Sequence, residues 1–187
     1  MRKARLTVML AATLGAVHFL APAAFCESGQ EKPPSVSFFD VLDLPARIDE
    51  PKLAKVKDGY HLNCAVANRS NEPLLGLRLV MLIVNSDGKL RTRLNWSEEL
   101  AVAPASINTF ELNPPIKDKD KVQNSDRLFL AVDEAIGRET IWRVVDAEKA
   151  LSAFSRGQHD VLPEVRTVAN RDDRKIPAIV IPSEKKR

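Results

Sequence analysis

The sequence predicts a mainly β domain, an antiparallel β-sandwich that carries one short helix and ends in an extended tail. Short segments alternate between apolar and polar residues, which is typical of strands with one buried face. Turn-forming residues separate these segments about every ten positions, and six or seven such strands are typical of a sandwich. Residues 146–154 alone have a helical pattern, for which Asp146 is the expected N-cap.

The first predicted elements lie before residue 68. A strand is expected within residues 36–44, and Pro45 and Pro51 indicate that the next segment runs along an edge of the domain, because proline cannot donate a ladder hydrogen bond. Tyr60 and every second residue after it, up to position 66, are apolar. This segment is predicted to be a strand with one buried face.

The centre of the domain is predicted from the segments that follow. Residues 79–84 are continuously apolar, which favours a central strand that is covered on both faces. A polar turn ends at Gly88, which can take the positive φ that hairpin turns need. The next strand has Trp96 on its apolar side, and residues 107–112 are predicted to be a further short strand.

The last part of the domain begins with a charged, proline-containing loop at residues 113–126. Residues 128–132 alternate again, and the segment around Trp142 is a further short strand. The sandwich is therefore predicted to span residues 36–154. Residues 27–35 are predicted to be a linker, because they are polar and contain paired prolines.

Residues 1–26 have the three parts of a secretory signal peptide. A basic start precedes an apolar run at residues 6–20, and small residues follow it. The run is shorter than the roughly 20 residues of a membrane-spanning helix, so an uncleaved anchor is the less favoured alternative. Cleavage after Ala23, Ala24 or Cys26 fits the pattern equally. The mature protein is expected to be exported, to the periplasm or outside the cell.

The two cysteines, Cys26 and Cys64, lie in different sequence surroundings. Phe25 precedes Cys26 where a lipoprotein would carry a small residue, so lipidation is not expected. If cleavage precedes Cys26, a disulfide with Cys64 is open to a protein in an oxidising compartment. Cys64 alternates with apolar residues and has no catalytic partner motif, so it is expected to be a small buried side chain.

Charge is distributed unevenly along the chain. Residues 27–154 carry 17 basic and 20 acidic residues, so no nucleic-acid partner is expected for the domain. Residues 155–187 carry eight basic and five acidic residues and are predicted to be a basic, extended tail. Its apolar island either stays unattached or docks on a sheet edge as a partner contact. The contact residues proposed in this island are Ile176, Ala178, Ile179, Val180 and Ile181.

Four short motifs resemble the FxLyD type of bacterial immunoglobulin-like modules. They are the N-x-S sequence at 68–70, the apolar strand at 77–84, the Asp87-Gly88 turn and the F-x-L sequence at 110–112. In place of the glycine that such modules have before the F-x-L strand, this chain has Ala-Pro-Ala-Ser at 103–106. The resemblance implies an immunoglobulin-like antiparallel β-sandwich that serves as an accessory or binding domain, and it implies no catalytic residues.

No catalytic or metal-binding set is recognisable in the sequence, so neither an enzyme nor a cofactor is expected. His61 is the one histidine within the predicted domain, whereas zinc sites need clustered ligands. The chain has no serine-hydrolase elbow and no nucleotide-binding glycine pattern. The densest group of oxygen ligands is interrupted by lysines, which favour a solvated loop over a calcium site. This group consists of Asp118, Asp120, Asn124 and Asp126.

Two functions of different classes follow from these observations. The first is a non-catalytic protein-interaction or structural module of a bacterial cell envelope, with an envelope or secreted protein as its partner. The alternative is a carbohydrate- or small-ligand-binding domain whose binding face uses Trp96, Trp142 or Tyr60, although tryptophans at alternating strand positions are more often core residues. Membrane association is expected only through an uncleaved signal segment, and the sequence leaves the oligomeric state open.

Overall fold

The computed structural model describes residues 34–57, 59–117 and 121–170. These described residues form strands and one helix, which are numbered here in chain order. The elements are β1 (Ser35–Phe39), β2 (Ala46–Val56), β3 (Gly59–Asn68), β4 (Leu74–Val84), β5 (Leu90–Val102), β6 (Ile107–Leu112), β7 (Arg127–Gly137), β8 (Thr140–Val144), α1 (Ala147–Ser155) and β9 (Val165–Ala169).

The described strands form two sheets that pack face to face. The larger sheet has the order β5-β4-β7-β8-β9, and the smaller sheet has the order β2-β3-β6. β1 joins the larger sheet as a parallel neighbour of β7, and it lies along the same edge of β7 that β8 pairs with further on. The prediction of a mainly β, antiparallel sandwich with one short helix is confirmed. Among the described strands, β1–β7 is the single parallel pair, which the sequence did not predict.

β4 lies at the centre of the larger sheet, between β5 and β7. Leu79, Met81 and Ile83 face the smaller sheet, while Val80 and Leu82 face the opposite side, where α1 packs. All five side chains are at most 2% exposed. The continuous apolar run therefore reflects burial on both faces, as predicted, and each of these side chains contributes about 1.5–3 kcal/mol to stability.

α1 covers the outer face of the larger sheet. Ala147 and Leu151 belong to the buried core, and the ring of Phe154 packs against two rings of the sheet. Its centroid lies 5.0 Å from that of Phe39 and 6.0 Å from that of Phe129. The helix thereby fixes β1 and β7 to each other on the side away from the smaller sheet.

Asp146 stands at the N-cap position of α1, as predicted, but it does not cap the helix in the usual way. Its backbone is left-handed, with φ 55°, and its side chain makes no capping hydrogen bond. An N-cap side chain reaches the first helical N–H groups from an extended backbone, and aspartate tolerates the left-handed region better than most residues. The tight passage from β8 into α1 therefore uses Asp146 as a turn residue.

A buried asparagine ties the corner at which the chain passes from β3 to β4. Asn68 is 3% exposed, and its Nδ2 donates to the backbone oxygens of Glu72 at 2.8 Å, Val102 at 3.1 Å and Ala103 at 3.1 Å. Its Oδ1 accepts from the N–H of Ser70 at 2.9 Å and from the Ser70 hydroxyl at 2.7 Å. The N-x-S sequence thus joins this turn to the corner between β5 and β6.

The larger sheet ends in a strand that the sequence did not predict. β9 pairs with β8 and lies within residues 155–187, the segment predicted to be an extended tail. Part of that segment therefore belongs to the sandwich. Residues 171–187, which contain the apolar island with its five proposed contact residues, lie outside the described residues, as do the signal segment and Cys26.

Candidate functional site

The hydrogen-bond pattern of β9 shows which of its backbone groups face β8. The N–H of Val145 donates to the oxygen of Glu164 at 2.8 Å, and the N–H of Asn170 donates to the oxygen of Glu139 at 2.7 Å. These two bonds flank the strand, and the backbone groups of an antiparallel strand alternate in direction. The even-numbered residues from 164 to 170 therefore direct their backbone groups toward β8.

The odd-numbered residues of β9 direct their backbone groups to the outside of the sheet. Val165, Thr167 and Ala169 present N–H and C=O groups at this edge, and no strand of the described part of the chain pairs with it. Val168 is 53% exposed, and its neighbours in the strand are also exposed. The edge of β9 is thus a template for an added strand.

β2 and β5, the two longest edge strands, carry features that discourage such addition. β2 contains Pro51 and a register shift between Asp49 and Lys52, and β5 has register shifts at both ends of its pairing with β4. Bulges and prolines are typical ways to blunt a sheet edge. β9 pairs regularly over five residues and has a single charged residue, Arg166, which binds Glu164 at 2.8 Å. This hydrogen bond lowers the pKa of Glu164.

A second surface surrounds Tyr60, at the start of β3. Three adjoining clefts, with volumes of about 440, 280 and 300 Å³, all have Tyr60 in their walls. The β2–β3 hairpin forms one side of this surface, and the loop between β6 and β7 forms the other. In the hairpin, Tyr60 lies directly opposite Lys55. We call this surface the Tyr60 groove.

Four lysines line the Tyr60 groove, and among the described residues no aspartate or glutamate lines it. They are Lys55, Lys57, Lys117 and Lys121. The sequence adds Lys119 and three aspartates in the same two loops, so residues 55–58 and 117–121 together carry five basic and three acidic residues. His61, also in the wall, lies 2.5 Å from Glu111 through its Nδ1. The described lining of the groove is therefore basic, whereas residues 27–154 as a whole carry a net negative charge.

The loop that forms one wall of the Tyr60 groove is held by a buried ion pair. The Asp126 side chain is fully buried and accepts hydrogen bonds from Arg91 and from the N–H of Gln123, the latter at 2.8 Å. Arg91 also donates to the oxygen of Lys121 at 3.2 Å. Asp126 is thus engaged with a cation of the protein itself. Asp118 and Asp120 of the same predicted cluster lie outside the described residues.

The structure does not bring the three predicted aromatic residues together. Trp96 on β5 and Trp142 on β8 are partly buried against the core, and β4 and β7 lie between their strands. Three strand spacings of about 4.8 Å put them roughly 14 Å apart across the sheet. Trp96 also donates from Nε1 to Glu98 at 2.9 Å. Of the three residues, Tyr60 alone lines the groove described above.

A polar cleft of about 480 Å³ separates α1 from the larger sheet, and an ion-pair cluster forms part of its floor. Arg78 lies 2.8 Å from Asp133 and 3.1 Å from Glu134, and Arg143 lies 2.6 Å from Glu134. Burial raises the pKa of Asp133, the charge of Arg78 opposes this shift, and the charge of Glu134 adds to it. Because the four charges pair with one another at a register shift of β7, we interpret the cluster as structural.

Cys64 is 4% exposed and free, as expected for a small buried side chain. Burial, followed by the negative charge of Glu98, raises the pKa of its thiol to about 11. Within the described residues, no group of three or more histidine, cysteine, aspartate or glutamate side chains is placed to hold a metal ion. In the same part of the chain, no helix has the length and apolar character needed to cross a membrane.

The sequence signal for both surfaces was weak. β9 has only two large apolar residues, and the lysines of the Tyr60 groove come from the β2–β3 hairpin and the loop before β7, about sixty positions apart. No protein-family model, curated protein or solved structure matches the chain.

Proposed function

We propose that the protein is a non-catalytic, extracytoplasmic interaction module of a bacterial cell envelope, and that a protein partner adds a strand to β9. The observation that carries this proposal is the outward-directed backbone of Val165, Thr167 and Ala169. An extended partner segment gains main-chain hydrogen bonds to these three residues and an apolar contact with Val168. Such strand addition needs no catalytic group, and the proposal assigns none.

Two features of the sequence support the same role. The signal-peptide pattern of residues 1–26 directs the chain to the periplasm or beyond. The resemblance to FxLyD-type immunoglobulin-like modules implies an accessory or binding domain. The segment that contains β9 adds a preference for a charged partner. Residues 155–187 carry three more basic than acidic residues, so the partner segment is expected to be acidic as well as extended.

The experiment first identifies the partner by site-specific photo-crosslinking in the intact envelope. A photo-reactive residue replaces Thr167 in one protein and Asn71, an exposed residue of the β3–β4 turn, in the control protein. We expect an adduct with one envelope or secreted protein from position 167 and none from position 71. Equal adducts from both positions would show capture that does not depend on β9.

The affinity of the purified partner then tests the mode of binding. Thr167→Pro removes the outward N–H and places a ring at the edge, yet it leaves the hydrogen bonds to β8 intact. We expect this variant to bind about tenfold more weakly or worse, and the matched Thr167→Ala protein to bind within about twofold of wild type. Circular dichroism verifies that both variants keep the sandwich. Unchanged affinity of the proline variant would refute strand addition.

A further inference from the structure

We infer that the Tyr60 groove is a second binding site, separate from β9, and that its ligand is an acidic oligosaccharide. The inference starts from the shape of the surface. The three clefts share Tyr60, and neighbouring clefts also share Gly59, Lys55 and Lys121. They therefore form one continuous depression that passes across the aromatic ring. Each cleft is at the small end of the volumes that hold single ligands, about 300–1,000 Å³, so the series suits a chain of linked units.

The side chains of the groove offer the contacts that a sugar chain needs. Tyr60 provides an apolar ring face for the C–H groups of a pyranose, and its hydroxyl provides a hydrogen-bonding end. Because Tyr60 packs partly against the core, its ring is held in place. Gln123 lines the first cleft and Asn113 the second, and both side chains are exposed amides that bind sugar hydroxyls. Pro34, Pro114 and Pro115 give these walls a rigid backbone.

The charge of the groove selects an acidic ligand. Lys55 lies beside the Tyr60 ring, because directly paired residues in a hairpin have Cβ atoms about 4.5–5.5 Å apart. Lys121 lines the two clefts that Lys55 also lines, and Lys117 lies at the far end with His61. The lysine ammonium groups are spread along the groove, so they can form ion pairs with the carboxylates that recur along an acidic sugar chain. Since exposed charges are screened beyond about 8–10 Å in physiological salt, the net acidity of the whole domain does not cancel this local field.

Binding is tested by calorimetry with trigalacturonate, and its methyl ester serves as the matched neutral ligand. The double variant Lys55→Gln/Lys121→Gln removes two exposed charges beside Tyr60. Lys52→Gln is the control, because Lys52 lies on the same strand, is 76% exposed and is paired with Glu50 away from the groove. We expect wild type to bind trigalacturonate saturably, with an affinity that falls as salt is raised. The ester is expected to bind at least about tenfold more weakly.

The variants give the sharper outcome. Each exposed lysine–carboxylate contact changes affinity by roughly two- to fivefold, so the double variant should bind about 5–20 times more weakly than wild type. The Lys52→Gln control should stay within about twofold. Absence of saturable binding by wild type, equal binding of the ester, or equal loss in the control would overturn the proposal. So would binding to phosphatidylglycerol vesicles that the double lysine variant loses and that trigalacturonate does not displace from wild type, since that would assign the lysines to a membrane surface.

Ligand binding at the Tyr60 groove and partner binding at the β9 edge can be lost separately. Thr167→Pro lies on the other sheet and should leave the affinity for trigalacturonate unchanged. The double lysine variant should likewise leave binding of the protein partner at β9 unchanged. A loss of both activities in either variant would contradict the separation of the two sites.

Discussion

Replacing Asn68 by alanine tests how strongly one buried amide holds the corner between the two sheets. The amide contacts three backbone oxygens and two donors of Ser70. Without the amide, the single hydroxyl hydrogen of Ser70 is left for the oxygen of Glu72, which lies 2.7 Å away, and the Ser106 hydroxyl donates to the oxygen of Ala103 at 2.7 Å. The two groups that lose a hydrogen-bond partner without replacement are therefore the oxygen of Val102 and the N–H of Ser70.

The size of the effect follows from these two groups. A buried polar group that loses its partner costs about 1–3 kcal/mol, so two such groups predict a loss of about 3 kcal/mol in the free energy of unfolding. For a domain of this size, 1 kcal/mol shifts the melting temperature by roughly 3–4 °C, so the midpoint should fall by about 10 °C. Asn68→Asp should be at least as damaging at equal volume, because a carboxylate oxygen would then face three carbonyl oxygens.

Urea unfolding, followed by tryptophan fluorescence, measures the free energy of unfolding of both variants. The matched control is Asn71→Ala, three residues along the same turn, where the side chain is exposed. We expect the control to stay within about 0.5 kcal/mol of wild type. If Asn68→Asp were as stable as wild type, the three hydrogen bonds from Nδ2 would contribute nothing and the reasoning would be refuted.

Three further predictions concern buried groups. Because burial raises the pKa of Asp133, its carboxyl group binds a proton more readily in the folded protein than in the unfolded chain, and the free energy of unfolding falls as pH rises from about 4. Asp133→Asn should remove this fall. A stability difference between wild type and the variant that stays constant from pH 4 to pH 7 would contradict the prediction. In a Cys26→Ser protein, Cys64 should react slowly with iodoacetamide at pH 8, because a pKa of about 11 leaves roughly 0.1% of the thiol as thiolate. If the folded protein were labelled as fast as the protein unfolded in urea, the thiol would not be buried. A Cβ at Gly137 would lie 2.7 Å from the Glu72 carboxyl carbon and 2.8 Å from the Trp142 ring, so Gly137→Ala should lower the free energy of unfolding by about 1–3 kcal/mol. An unchanged urea midpoint would show that both side chains move aside freely.

The sequence predicted those elements whose signals are local. The apolar run at residues 79–84 predicted a strand covered on both faces, because a strand that is buried on both faces carries apolar residues at every position. The turn that ends at Gly88 was predicted from its composition, and the structure gives this glycine φ 79°. The helix was predicted at residues 146–154 and is found at Ala147–Ser155. In each case neighbouring residues carry enough information to specify the element.

The features that the sequence missed depend on distant partners. β9 is a short strand of mostly exposed residues, and its pairing with β8 rather than its own pattern defines it. β1 was predicted as a strand, but its parallel pairing with β7, far along the chain, has no signal in the residue pattern. For the candidate sites, Tyr60 was among the predicted ligand residues, but the lysines around it were not. Their juxtaposition arises only when the hairpin and the loop before β7 meet in the folded sandwich.

The parallel pairing of β1 with β7 also sets the order in which the larger sheet can be completed. Ser35 pairs with Arg127, so about ninety residues must be in place before the first strand has its neighbour. Contacts of such sequence separation form slowly, because the intervening chain loses loop entropy before any contact stabilises it. If the chain is exported amino end first, as we propose, the first strand to emerge is therefore the one that waits longest for its partner, and the sandwich would close only once most of the polypeptide has been translocated.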